Sequence, residues 1–112
     1  MAFSEFEIKL HSKTIGDFID TIRPPAHIRN KLDISFRLKG QSIEVFEVGM
    51  SRDGHHIETP IAKARYIKSQ NIWKVYWMRA DEKWHAYETS EVARLSDFVE
   101  IIKEDKHSCF WG

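Results

Sequence analysis

Six histidines, one cysteine and seventeen carboxylates are the side chains that could do metal, covalent or acid–base chemistry here, and their spacing decides whether they do. His55 and His56 adjoin, and His107-Ser108-Cys109 sets a nitrogen and a sulfur two residues apart. Zinc accepts such ligands, but in paired spacings that neither group has. Cys109 would need a base beside it to act as a nucleophile, and His107 or His85 are the partners to consider. A lone cysteine next to Phe110 and Trp111 reads more simply as a small buried hydrophobe. Glu44, Glu47, Asp81 and Glu82 raise the question of a metal-dependent nuclease. Its usual Glu-x-Lys is missing, since Glu44-Val45-Phe46 and Glu47-Val48-Gly49 lack the lysine. Arg23-Pro24-Pro25, with His27 and Arg29, could hold an anion but equally well ends a helix. No catalytic residue, metal or cofactor is expected from these patterns.

Cations and flat rings are the remaining chemistry, and they concentrate between Pro60 and Glu88. Three strands are expected there, Ile61 to Lys68, Ile72 to Arg79 and Lys83 to Glu88, split by Ser69-Gln70-Asn71 and Ala80-Asp81-Glu82. Pairing Lys68 with Asn71 sets Tyr66 opposite Trp73, Ala64 opposite Val75 and Ala62 opposite Trp77. Small residues then meet large ones, which fills a layer. Pairing Ala80 with Lys83 sets Trp77 opposite Ala86 and Arg79 opposite Trp84. The expected buried face is Ala62, Ala64, Tyr66, Trp73, Val75, Trp77, Trp84 and Ala86. Alternation leaves Lys63, Arg65, Lys74, Tyr76, Met78, His85 and Tyr87 on the other face. That surface suits a protein partner or a second copy of the chain, because aromatics and methionine are enriched at interfaces. It also suits a nucleic acid, with bases stacked on tyrosines and phosphates on cations.

Other elements must position that face. Ser4-Glu5-Phe6-Glu7 is a capping box, with Phe3 and Ile8 placed for a hydrophobic staple. Ile8, Ile15, Phe18, Ile19 and Ile22 follow as one helical stripe, and Pro24-Pro25 stops the helix, giving a span of Glu5 to Arg23. Leu32, Ile34, Phe36 and Leu38 alternate as a half-buried strand. Lys39-Gly40-Gln41-Ser42 turns the chain into Ile43 to Met50. Ile43 and Val45 share a face with Glu47 while Phe46 and Val48 lie opposite, which calls for a bulge or burial on both sides. Ser51 to Thr59 reads as a polar loop. A closing helix follows Glu88, with Leu95, Phe98, Val99 and Ile102 as its stripe and Ser96 as its N-cap. Phe110 and Trp111 are expected to dock on the body. The order α-β-β-β-β-β-α predicts an α+β fold: a twisted antiparallel sheet with both helices against one face.

Composition bounds the reading. The 112 residues suit one domain, residues 1–112, with a core of its own. Seventeen basic and seventeen acidic residues give a formal net charge of zero, so no global field steers the chain to nucleic acid or a membrane. Locally the balance differs: residues 60–88 hold six Lys/Arg against three Asp/Glu, and residues 89–112 three against five. One cysteine allows no internal disulfide, and no leader-like opening or long apolar run is present, so a cytoplasmic protein without a membrane partner is expected.

The motifs RPPAHIR at 23–29, GQSIEVFEV at 40–48, IAKARYIKSQNIWKVYWMRADEKWHAYE at 61–88 and CFWG at 109–112 carry a resemblance. The chain resembles a family of short bacterial proteins known only as a domain of unknown function, some of them on mobile gene cassettes. The resemblance spans nearly the whole chain and implies one complete domain. It implies no activity, ligand or catalytic residue.

Overall fold

Ser4 starts the first helix as its capping box predicts. Its hydroxyl accepts from the Glu7 N–H at 3.2 Å, and the Glu7 carboxylate accepts from the Ser4 N–H at 2.9 Å. In the computed structural model, which describes residues 2–111, α1 runs over Glu5–Ile22 and stops at Arg23, ahead of Pro24. Arg23 then bridges to Asp33 with two hydrogen bonds of 2.9 and 2.7 Å. That guanidinium holds the Asp33 carboxyl below its ordinary range and ties the end of α1 to the start of the sheet.

Five strands follow: β1 (Asp33–Lys39), β2 (Ser42–Met50), β3 (His56–Ile67), β4 (Ile72–Met78) and β5 (Trp84–Val92). They form one antiparallel sheet in sequence order, and α2 (Leu95–Glu104) closes the chain. Both helices pack on the same face. Ile15, Phe18 and Ile19 of α1 and Leu95, Phe98, Val99 and Ile102 of α2 join Ile43, Val45, Ala62, Ala64, Trp73 and Val75 in one core. Phe3 and Phe110, from the two terminal segments, enter the same core. This is the expected α+β architecture, with the opposite sheet face left clear of the helices.

Several local expectations give way. Ile8 is 42% exposed rather than part of the α1 stripe. Phe3 donates its N–H to the Gly40 carbonyl and enters the core beside Tyr66 and Trp73. One turn further on, His11 takes the inward position, with its ring 5.0 Å from both Phe3 and Trp73. α2 begins two residues earlier than a Ser96 cap requires. Arg94 is the N-cap, and Asp97 accepts from its N–H at 3.1 Å. β3 starts at His56, so only 51–55 of the expected polar loop is loop.

Register explains the larger difference. β3 and β4 pair as expected, with Tyr66 opposite Trp73, Ala64 opposite Val75 and Ala62 opposite Trp77. β4 and β5 are shifted by one residue: Tyr76 meets Ala86, Trp77 meets His85 and Met78 meets Trp84. The cause is the turn. Arg79 and Lys83 close it, the Glu82 N–H returns to the Arg79 carbonyl, and Glu82 sits at φ 61°. Three residues therefore form the loop, where an Ala80–Lys83 pair would leave two. A one-residue slip exchanges the faces of a strand. Tyr87 is buried at 6% on the core side, against Phe110 at 5.0 Å, and His85 shares that side with Trp77. Trp84 and Ala86, expected in the core, lie on the outer face. The register shift between Val45 and Phe46 skips Ile61, so the extra residue lies on β3. β2 alternates without a break against β1, and Phe46, 9% exposed on the outer face, gives it the burial on both sides that was the other expectation.

His11 makes one consequence measurable. Burial pushes its pKa below the ordinary value, and nearby Glu7 only partly offsets this. The folded chain thus binds that proton less tightly than the unfolded chain. Stability contributed by neutral His11 is present above about pH 6.5 and is lost as pH falls toward the lower folded pKa. Urea midpoints at pH 7.5 and 5.5 should differ more for the wild type than for His11→Leu. An equal difference in the two would remove the assignment.

Candidate binding face

The outer face is built by alternation along β2, β3 and β4, whose other residues are in the core. Cross-strand neighbours run Arg37, Glu44, Lys63, Tyr76 and Ala86 in one row, and Lys39, Ser42, Arg65, Lys74 and Glu91 in the next. Phe46, Met78 and Trp84 add apolar bulk on the same side. The Lys63 ammonium lies 5.8 Å from the centroids of both the Tyr76 and the Trp84 rings. The Arg37 guanidinium sits 4.1 Å over Phe46, covering it to 9% exposure, and also pairs with Glu58.

Arg65 and Lys74 oppose each other directly across β3 and β4. Like charges in that position destabilise a sheet. Among the described residues neither they nor Lys63 make an ion pair, although Glu44 and Glu91 occupy adjacent strands. The basic strip continues off the end of the sheet into a polar pocket of about 360 Å³, where Arg65 and Lys68 meet Gln41, Ser42 and Tyr66. The arrangement can attract an anionic group and offer rings beside it.

Five of the seven residues read from the sequence come together here: Lys63, Arg65, Lys74, Tyr76 and Met78. His85 and Tyr87 do not, because the β4–β5 slip turns them to the helix side. Trp84 takes their place, and Arg37 and Phe46 extend the face across β1 and β2. The signal for Trp84 was the three-residue length of Ala80-Asp81-Glu82.

The other candidate chemistry is dispersed. His85 Nε2 lies 2.8 Å from the Asp81 carboxylate, and that contact holds the Asp81 pKa down. His107 Nε2 lies 2.6 Å from Glu88, whose pKa it lowers in the same way. Cys109 reaches only the His107 carbonyl, at 3.8 Å, and burial pushes its thiol pKa up, away from a reactive thiolate. Among the described residues no three His, Cys, Asp or Glu side chains are grouped to hold a metal. No described helix is long and apolar enough to cross a membrane.

A family model described as a domain of unknown function (DUF3024) matches residues 3–112. The chain belongs to that family. The match takes in both helices, all five strands and the whole candidate face of this DUF3024 domain. No curated protein and no solved structure matches it.

Proposed function

We propose that this DUF3024 domain is a non-catalytic interaction module whose outer sheet face docks an acidic segment of a partner protein. One observation carries the reading. Lys63, Arg65 and Lys74, unpaired among the described residues, lie beside the half-buried Tyr76, Met78 and Trp84 on a face that the helices leave clear. Aromatic and methionine side chains supply contact area, and opposite charge supplies orientation. Self-association through this face is less favoured. A two-fold contact centred on the strip brings Arg65 and Lys74 against their own copies.

Single-stranded nucleic acid is the second reading, because Lys63 lies between two rings on which bases could stack. Zero net charge ranks it below a protein partner. Fluorescence anisotropy separates the two, with a labelled Asp/Glu-rich peptide carrying Leu and Phe and a labelled single-stranded oligonucleotide titrated at low and physiological salt. The peptide is expected to bind with salt-sensitive affinity that drops about tenfold in Lys74→Ala/Tyr76→Ala, the scale of interface residues that matter. Light scattering should show a monomer. Tighter binding of the oligonucleotide would transfer the face to nucleic acid. No binding of either probe at low salt would remove both readings.

A further inference from the structure

On the opposite side of the sheet, in the helix layer, Phe18, Ile22, Ile34, Lys103 and Trp111 line an open cleft of about 450 Å³. That volume lies within the roughly 300–1,000 Å³ of small-molecule sites. We infer that this cleft binds a small organic acid with an apolar or aromatic body and one carboxylate.

The wall is the argument. Trp111 remains 37% exposed, yet it is held by two hydrogen bonds of its own and by the anchoring of the residue before it. Its backbone N–H donates to Asp105 Oδ2 at 3.0 Å, and its indole N–H donates to the Ile102 carbonyl at 3.0 Å. The preceding residue, Phe110, is buried and donates its own N–H to Asp105 Oδ1 at 3.0 Å. An aromatic ring in contact with water costs free energy, and ordering it costs more. Fixing the ring beforehand is useful where a ligand must find a ready surface, since the ordering cost is then absent from binding.

The occupant follows from the lining. Three apolar side chains and the Trp111 ring accept an apolar body. Lys103 is the one charged lining residue, so the complementary head group is an anion. Lys103 is about half exposed, and its only ion-pair partner among the described residues is Glu100 at 3.6 Å, one helical turn away on α2. That contact is loose and exposed, of a kind contributing little, so a ligand carboxylate can compete for the ammonium. The cleft shares no residue with the outer face, and the inference stands or falls without it.

Phenylbutanoate is a suitable probe, with phenylbutanamide as its uncharged counterpart. Both are titrated into the full chain while proton–nitrogen NMR follows the Trp111 indole N–H and the amides of Ile22, Ile34 and Lys103. The acid is expected to give saturable shifts confined to these groups and to bind about three- to fivefold more tightly than the amide, the range of a partly exposed ion pair. Lys103→Met should erase the difference between the two probes, and Glu100→Gln should tighten the acid alone. Shifts that do not saturate, that spread over the outer face, or that are equal for acid and amide on the wild type would overturn the inference.

Discussion

Phe98→Ala should lower the stability of this domain by about 3–5 kcal/mol, the range for removing a fully buried phenylalanine. Phe98 has no exposed surface and sits in the middle of α2 among the core residues of the sheet. The substitution loses the transfer free energy of the ring and leaves a cavity that the β-sheet side cannot close, because strand backbones are held by their ladders. Natural domains have about 5–15 kcal/mol in total, so the variant approaches marginal stability. Urea unfolding is the measurement. The midpoint should fall with the slope preserved, and Phe98→Leu should recover most of the loss. A fall below about 1 kcal/mol would mean that α2 does not cover the sheet. The consequence reaches the proposed ligand cleft, because α2 carries Ile102 and is capped by Asp105, which together hold Trp111 at its wall.

The element order and the β3–β4 register were legible because each rests on local physics. Ser4 and Glu7 cap a helix through atoms three residues apart, and Ala62 and Ala64 meet the larger Trp77 and Val75 across one hairpin. Where the reading failed, a single backbone choice controlled many side chains. Glu82 adopts a left-handed conformation at φ 61°, a state glycine takes more readily, so its residue type gave no reason to close the turn at Arg79–Lys83 rather than Ala80–Lys83, although the three-residue spacing of Ala80-Asp81-Glu82 was there to be read. That choice exchanged Tyr87 for Trp84 on the outer face and carried His85 away from it. Ile8 failed for a different reason. Helical periodicity ranks positions by direction alone, and it could not register that Phe3, from outside the helix, enters the core against His11 and Trp73 while Ile8 stays in water. The cleft was not legible at all, because its five lining residues come from α1, β1, α2 and the final segment. Docking of Phe110 was expected, and Phe110 is buried. Trp111 is docked differently, with its polar edge bonded and its ring still partly in water.

The same segment supplies the second large effect. Asp105→Ala should cost about 2–3 kcal/mol, since hydrogen bonds to a charged acceptor contribute about 1.5–3 kcal/mol each before allowance for exposure. Asp105 ends α2 at φ 43°, and from that left-handed position its two carboxylate oxygens receive the N–H groups of Phe110 and Trp111. Alanine removes both acceptors and is a poorer residue for the backbone conformation. Two further variants separate these causes. Asp105→Gly restores the backbone and not the acceptors, so it should recover only the conformational part. Asp105→Asn tolerates the backbone, keeps one oxygen and gives up the charge, so it should fall between alanine and wild type. Hydrogen exchange of the Trp111 indole N–H is the sensitive readout, because Ile102 holds that proton only while the segment is docked. Exchange should quicken at least tenfold in Asp105→Ala and remain fast in Asp105→Gly. If glycine restored the wild-type exchange rate, backbone strain alone would account for the alanine effect, and the carboxylate would have no part in fixing the ring.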